Sequence, residues 1–599
     1  MAVIGGSSTL SELEIVTPLD TSQSSEYSAS IQMAVSVQRQ AAREFSRAFN
    51  CATKAAAKGK PELAIEWCRY AASVAWRTNP GFFYCHELEQ LLAEIGRRYL
   101  KPAFTPPPSV GPPRRFLHVM SGAYERGGTT RAVSRWIEIC ARYAPSEQHS
   151  ILISEQGEDH APSWLARSVQ RTGGELFELP QLPSWLQTAA EIRKRSLEFD
   201  VIALHTHPND PLPNLAFYDQ PGSIIFFNYG DHQFTVSMDV ARVVADLRLT
   251  GQDLTFSRRA SGPRKCLVPL PLIDDKPFHP DKAGARRKLG LPIDAPIALT
   301  LGEWFKYQPA LGYNFPEALS SICKEDPRVI VVAIGISELE VPPILNRLPR
   351  ERFRPVGFVH DPEILDLYYS AADIYLDCFP CGSGTSFLDA ARHALPVQRL
   401  SNPYVPILQS DDLALDSVLS RASNQSEYVA GVLEWLRWPE SKRTELGGRF
   451  RAAVLREHCG ISWKKKWLDP ALNALDFTGP SAAQLKNEVA EGEQDHYLGL
   501  ALVCIDACPA SMRVAATILE DPEIDWRIRI SGLWHSIKPW LFDTAHDGMA
   551  RERFVIFRNL VKTVLPKPIV IVVAKLLHPI LKRLQDQGVE ALHRADKSA

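Results

Sequence analysis

"DCFPCGSGTSFLDAARHALPV", residues 377–397, places a run of small and hydroxyl residues between an apolar strand-like segment, "DIYLD" (373–377), and an amphipathic segment of helical spacing. In open parallel sheets ligands sit beyond the carboxyl ends of strands, where helix N-termini present free N–H groups and partial positive charge. Gly382 and Gly384 let backbone approach an anion closely, Thr385 and Ser386 can cap the helix and donate hydroxyl hydrogen bonds, and Asp389 follows one turn in. Two readings stand: a diphosphate cradle with a carboxylate placed for a sugar hydroxyl, or a capped turn and no more.

Upstream, "LTLGEWFKYQP" (299–309) is a strand running into a loop that carries Gly302 and Lys306. A lysine there can reach the same crevice and neutralise a departing diphosphate. "PIALTLG", "RVIVVAIG", "RFRPVGF" and "DIYLD" alternate with helical patterns, as do "RFLHVM", "HSILIS", "DVIALH" and "SIIFFN" earlier in the chain. This alternation predicts an α/β protein with two doubly wound parallel-sheet domains, 115–275 and 285–475, joined by a hinge in "KCLVPLPLIDDKPFHPDK" (265–282). "HCGISWKKKWLDPALNAL" (458–475) is expected to close the second domain with a helix.

Beyond the two domains, residues 1–29 read as a flexible leader and 30–100 as roughly three helices, with one tetratricopeptide-like unit in "AKGKPELAIEWCRYAASVAWRTNP". One unit cannot stack into a solenoid, so these helices form either a cap on the next domain or a partner-binding module. "KPAFTPPPSVGPPRR" (101–115) contains a proline-rich linker, 101–114. Residues 480–599 are helical in pattern, and the apolar run 565–584 is too short to span a bilayer. It reads as a buried helix or a peripheral membrane contact.

The length of 599 residues fits roughly three or four domains. A formal net charge of −2 argues against a nucleic-acid partner. The 11 cysteines are scattered without zinc-finger spacing, which fits a reduced, cytoplasmic compartment, with the inner face of the membrane open to the C-terminal region. Oligomeric state is not legible.

On the first domain, "GGTTR" (127–131) opens a helix after the first strand, putting Gly128 and Thr129 on the opposite wall of the cleft. "LHTHPNDPLPN" (204–214) ends a strand with His205, His207 and Asp210, and "FFNYGDHQF" (226–234) ends the next with Asn228, Asp231 and His232. Histidine is the natural general base near neutral pH, so His232 with Asp231 is the expected catalytic pair. A cation held by these His and Asp residues is the competing reading, and hydrogen-bonded structural loops a third.

"GEWFKYQP" together with "GFVHDPEILDLYYSAADIYLDCFPCGSGTSFLDAARHALPV" (357–397) resembles the GT-B glycosyltransferases, closest to the O-GlcNAc transferase and bacterial adhesin glycosyltransferase family, with a general resemblance to bacterial group 1 glycosyltransferases. The resemblance covers roughly residues 290–400 and the first domain in outline. It implies a GT-B fold and a glycosyltransferase of hexosyl or N-acetylhexosaminyl type, using a nucleotide-sugar donor, expected to be a UDP-sugar. The acceptor is a glycan or protein, and no cofactor or metal is expected, since the nucleotide sugar is itself a substrate. In that family a lysine after the first strand of the second domain contacts the donor phosphates, a hydroxyl pair holds the diphosphate and an aspartate takes the ribose. These roles fall on Lys306, on Thr385 with Ser386, and on Asp389. Where many retaining GT-B enzymes carry two glutamates, this chain has Cys381 and Asp389, which tilts the expectation towards inversion. The rival class is a non-catalytic GT-B scaffold that keeps its nucleotide pocket.

Overall fold

The computed structural model describes residues 24–476, except 103–113, 126, 158–159, 220–223, 260–263, 275–280, 310–311, 339–340, 342, 347 and 403–404, together with residues 528, 531 and 532. Most of the leader and of the proline-rich linker, and almost all of the C-terminal region with its apolar run, lie outside the described residues.

The first sheet holds seven parallel strands in the order β3-β2-β1-β4-β5-β6-β7. They are β1 (Arg114–Met120), β2 (Glu147–Ile153), β3 (Leu176–Glu178), β4 (Val201–His205), β5 (Ile224–Asn228), β6 (Val243–Asp246) and β7 (Arg264–Leu267). The second has five, β10-β9-β8-β11-β12, built from β8 (Ile297–Leu301), β9 (Ile330–Ile334), β10 (Phe353–Gly357), β11 (Ile374–Leu376) and β12 (Val397–Gln398). These are the two doubly wound, Rossmann-like parallel-sheet domains that the alternating runs predict. β7 runs into the stretch read as hinge, so that residues 265–267 are instead part of the edge strand of the first sheet.

Side-chain alternation along β1, β4 and β5 gives the first sheet two apolar faces. Leu117, Val119, Ile202, Leu204, Ile224 and Phe226 share one core with Ile65 and Val74 of α2 (Pro61–Thr78) and Leu88 and Leu92 of α3 (His86–Tyr99). α1 (Ser24–Ala57) packs on α2 and adds Ala41, Phe45 and Ala48 to that core. The N-terminal helices are thus a cap on the first domain. Glu89 of α3 fastens it: fully buried, it accepts hydrogen bonds from Asn214 Nδ2 (2.9 Å) and from the backbone N–H groups of Met238 (3.2 Å) and Asp239 (2.7 Å).

On the other face, Phe116, Ala203, Ile225 and Phe227 meet Trp136 of α4 (Gly128–Tyr143). Trp463, Leu468 and Leu472 join the same core. The segment expected to close the second domain therefore returns to the first. Its apolar stripe needs a matching face, and the Trp136 side of the first sheet supplies one. Trp463 Nε1 donates to Pro269 O at 2.6 Å and Lys464 Nζ to Glu147 Oε1 at 2.9 Å.

The crossover is clamped by His458, the last residue of the helix Glu440–His458. Its Nδ1 lies 2.7 Å from Leu270 O and its Nε2 3.0 Å from Asp412 Oδ2. Burial works against a charge on this ring, but the Asp412 carboxylate outweighs it and raises the pKa above the ordinary histidine value, while Asp412 is held below the ordinary aspartate value. A raised histidine pKa stabilises the fold fully below the unfolded value, about 6.5, and loses that contribution as pH climbs through the folded value. The Tm deficit of His458→Gln is therefore expected to be larger at about pH 5.5 than at about pH 8.5, measured by differential scanning calorimetry. Equal deficits at both would show that the ring is neutral in the clamp.

Candidate functional site

Strand order reverses between β8 and β11 in the second sheet and between β1 and β4 in the first. Crevices for ligands open beyond the carboxyl ends of strands at such points. The loops leaving β8 and β11 are the two stretches singled out in the sequence, and they touch: Lys306, on the short 3-10 turn Trp304–Tyr307, donates from Nζ to Gly382 O at 2.8 Å.

Each small residue of the second loop has its own place. A Cβ on Gly382 would lie 2.1 Å from Ser410 Oγ and 2.8 Å from Ser410 N, so close packing demands the glycine. Gly384 has φ +76° and is exposed, with open space where a side chain would stand. Gly302 lets the Tyr307 ring come within 3.1 Å of its missing Cβ. The capping hydroxyl is that of Ser383, which accepts from Phe387 N at 3.3 Å; its own N–H donates to Asp377 Oδ1 at 3.1 Å. Thr385 occupies the N-cap position yet makes no side-chain capping bond, while Ser386 Oγ turns inward to the Tyr375 hydroxyl at 2.8 Å. The expected hydroxyl pair is therefore split: both residues are half-buried, but Ser386 is committed to Tyr375 while Thr385 makes no side-chain capping bond.

Asp389 is engaged across the domain boundary. Arg135 of α4 donates from Nη2 to both its carboxylate oxygens, at 3.1 and 3.3 Å, and Arg392 Nε stands at 3.5 Å. Burial would raise this carboxyl, but Arg135 and then Arg392 outweigh it and lower the pKa. Gly128, exposed, and Thr129, half-buried, open the same helix α4 behind the Gly127 N-cap.

The facing wall is the loop after β5. Asp231 is buried, and Arg248 donates to it from two nitrogens, Nε to Oδ2 and Nη2 to Oδ1, both at 2.8 Å. His232 Nδ1 sits 3.2 Å from Asp231 Oδ1 and its side chain stays about a quarter exposed, at 26%. Burial alone would raise the Asp231 carboxyl, but Arg248 and then His232 outweigh it and hold it well below the usual carboxylate range. Gly251 is required because a Cβ there would lie 2.6 Å from Asp231 Oδ2. Arg259, fully buried, fixes the loop backbone by donating to Asp231 O (2.9 Å) and Gln233 O (2.7 Å).

Arg248 also reaches the second domain, donating to Ile407 O (2.7 Å) and Gln409 O (2.6 Å) with Asp411 Oδ1 at 3.3 Å. Burial opposes its charge, but Asp231 and Asp411 outweigh that and raise its pKa. Burial raises the Cys381 thiol, and Lys306 of the second domain and Arg248 of the first both lie close enough to oppose that shift, so the loop after β11 stands near the loops after β5 and β6. The sequence offered no sign of Arg248 or Arg135, since a single arginine in a loop or on a helix looks like surface.

The other residues of the two His- and Asp-bearing strand ends do not join the pair. His205 is buried against His118 and Tyr229, Asp210 accepts from Ser121 Oγ (2.6 Å) and Leu212 N (2.9 Å), and Asn228 donates to Asp246 (2.7 Å). His207 donates its backbone N–H to Ser121 Oγ at 2.8 Å and stacks near Tyr124. These residues are hydrogen-bonded within their own loops, apart from the contact between His232 and Asp231.

No family model matches the chain. Curated sequences that it matches include a lipid-A-disaccharide synthase of Xylella fastidiosa (strain 9a5c), 26% identical over 200 residues, which are 30% of this chain and 51% of that one. The chain spans about half the length of the curated relatives it matches. Among solved structures it is similar to a mutant O-GlcNAc transferase of Thermobaculum terrenum, 16% identical, with 72% of this chain and 84% of that chain covered at a TM-score of 0.43. It is also similar to Anabaena HepE in complex with UDP and glucose, 14% identical, with 60% and 100% covered at a TM-score of 0.45.

Asp231→Asn removes the charge that Arg248 is buried against. Breaking a buried pair from one side costs about 3–5 kcal/mol, so the variant is expected to melt several degrees below the parent by differential scanning calorimetry. A Tm within one degree would show that Gln409, Ile407 and Asp411 hold Arg248 unaided.

Proposed function

We propose that this chain is a glycosyltransferase that moves a hexosyl or N-acetylhexosaminyl group from a UDP-sugar to a hydroxyl of a glycan or protein acceptor, with no metal requirement. The observation that carries this reading is the contact between Lys306 Nζ and Gly382 O at the switch point of the second sheet, with Asp231 and His232 tied to the same domain through Arg248. The UDP held by HepE and the match to a lipid-A-disaccharide synthase support a nucleotide-sugar donor.

The diphosphate lies over Gly384 and Thr385, where the glycine has open space beside it and the threonine hydroxyl makes no capping bond, next to Lys306 on Gly382 O. The Asp231 carboxylate holds the proton of His232 on Nδ1 and leaves Nε2 as the acceptor. His232 Nε2 takes the proton of the attacking hydroxyl while the new bond from that oxygen to the anomeric carbon forms. The bond from that carbon to the phosphate oxygen breaks, and its electron pair leaves with UDP. Lys306, the loop N–H groups and the helix N-terminus Ser386–Arg392 stabilise the charge that grows there, an effect for which one lost donor costs about 2.7–4 kcal/mol of barrier. Attack opposite the departing phosphate inverts the anomeric centre. Asp389 serves the ribose once Arg135 releases it or shares it.

Three variants separate these roles by UDP titration calorimetry and UDP release from a panel of UDP-sugars. Thr385→Val is expected to weaken UDP about ten- to a hundredfold with an unchanged Tm. Ser386→Ala should lower the Tm, by the roughly 1 kcal/mol of a buried hydrogen bond, and leave UDP affinity within about twofold. Lys306→Ala should lose more in turnover than in binding. UDP binding by the parent without UDP release to water or any acceptor would favour the scaffold, and release that EDTA abolishes in a still-folded protein and that Mg²⁺ or Mn²⁺ restores would contradict a metal-free mechanism.

A further inference from the structure

The Trp136 face of the first sheet buries a row of imidazoles that runs from the amino end of β2 to the carboxyl end of β4. His149 on β2, His118 on β1 and His205 on β4 are each at most 2% exposed. His149 Nδ1 lies 2.9 Å from His118 Nε2, His118 Nδ1 3.0 Å from His205 Nε2, and His205 Nδ1 3.1 Å from the Tyr229 hydroxyl. The far end of the row is unfinished: His149 Nε2 is buried without a hydrogen-bond partner, and so is Glu147 Oε2, 3.5 Å away. Cys140, buried near the end of α4, completes a group whose sulfur, nitrogen and carboxylate oxygen all lie within 4.8 Å of one another. Among the described residues it is the one group of three or more such donors.

We propose that Cys140, Glu147 and His149 bind a zinc ion that fastens α4 to β2 at the amino-terminal edge of the first sheet. A thiolate, an imidazole and a carboxylate are the donors zinc takes, and a water completes the tetrahedron. Zinc–nitrogen and zinc–oxygen bonds of about 2.0–2.2 Å give a tetrahedral edge near 3.4 Å, which fits the 3.5 Å separation better than a hydrogen bond does. The charges also close. Two anionic ligands balance the ion, while Lys464, 2.9 Å from the other carboxylate oxygen Glu147 Oε1, is balanced by Asp469 at 2.5 Å.

The imidazole row supplies the orientation that metal-bound histidines receive from outer partners. With the lone pair of His149 Nε2 on zinc, its Nδ1–H donates to His118 Nε2, the Nδ1–H of His118 to His205 Nε2, and that of His205 to the Tyr229 oxygen. All three rings are then neutral, as their burial favours. Glu147 is the first residue of β2, so the site lies at the opposite end of the strands from the crevice and its role is structural.

The test uses the full-length chain purified without chelator. Elemental analysis is expected to find about one zinc per chain. After the metal is stripped, Co²⁺ should bind with a near-ultraviolet thiolate charge-transfer band, and zinc should raise the Tm of the stripped protein. Cys140→Ala and His149→Ala should each lose the band or weaken Co²⁺ by at least about tenfold. A folded parent, judged by circular dichroism, that binds neither Zn²⁺ nor Co²⁺ would overturn the proposal. So would an unchanged charge-transfer band in folded Cys140→Ala. Neither result bears on the crevice, whose residues are elsewhere.

Discussion

One buried guanidinium holds the two domains at their working distance. Arg248 takes a carboxylate from the first domain and two backbone carbonyls from the second, and its charge is stable there because Asp231 stands beside it. A buried charge without that partner would cost several kcal/mol, so the loop carrying Asp231 and His232 cannot drift from the second domain without exposing or orphaning Arg248. Arg135 on Asp389 makes a second link across the same boundary with fewer bonds, from a single nitrogen. The strong link positions the proposed base and the weaker one lies where the ribose would enter.

The polarity of parallel strands then divides labour along the first domain. Carboxyl ends of the strands feed the crevice, whereas the amino end of β2 carries Glu147, its partner Lys464 and the proposed zinc site. The face opposite Trp136 is covered by the helical cap, whose core is continuous with the sheet. Both faces are therefore buried, as an all-parallel sheet requires.

Much of this was legible in the chain. Runs such as "RVIVVAIG" and "DIYLD" mark buried strands because nothing else makes short, continuous apolar runs between helices, and the Gly-rich loop with Lys306 came together as its position after strands demanded. β3, β6, β7 and β12, of two to four residues, show no period and were missed, whereas β11, equally short, was marked by the small-residue loop that follows it. The segment 458–475 was assigned to the wrong domain because an apolar stripe says that a helix packs, not on what. Thr385 and Ser386 look alike in sequence, and only the Tyr375 hydroxyl separates them. Arg248 and the imidazole row depend on contacts between distant strands, which no local pattern reports.

The central claim is that UDP sits between the two walls joined by Arg248. Hydrogen–deuterium exchange of the full chain with and without saturating UDP addresses it directly, because exchange reads both walls in one experiment. The account predicts slowed exchange at 382–388, together with a smaller slowing at 229–233 and at the start of α4. Saturating UDP that leaves 382–388 unchanged, or that protects only residues away from both walls, would contradict it.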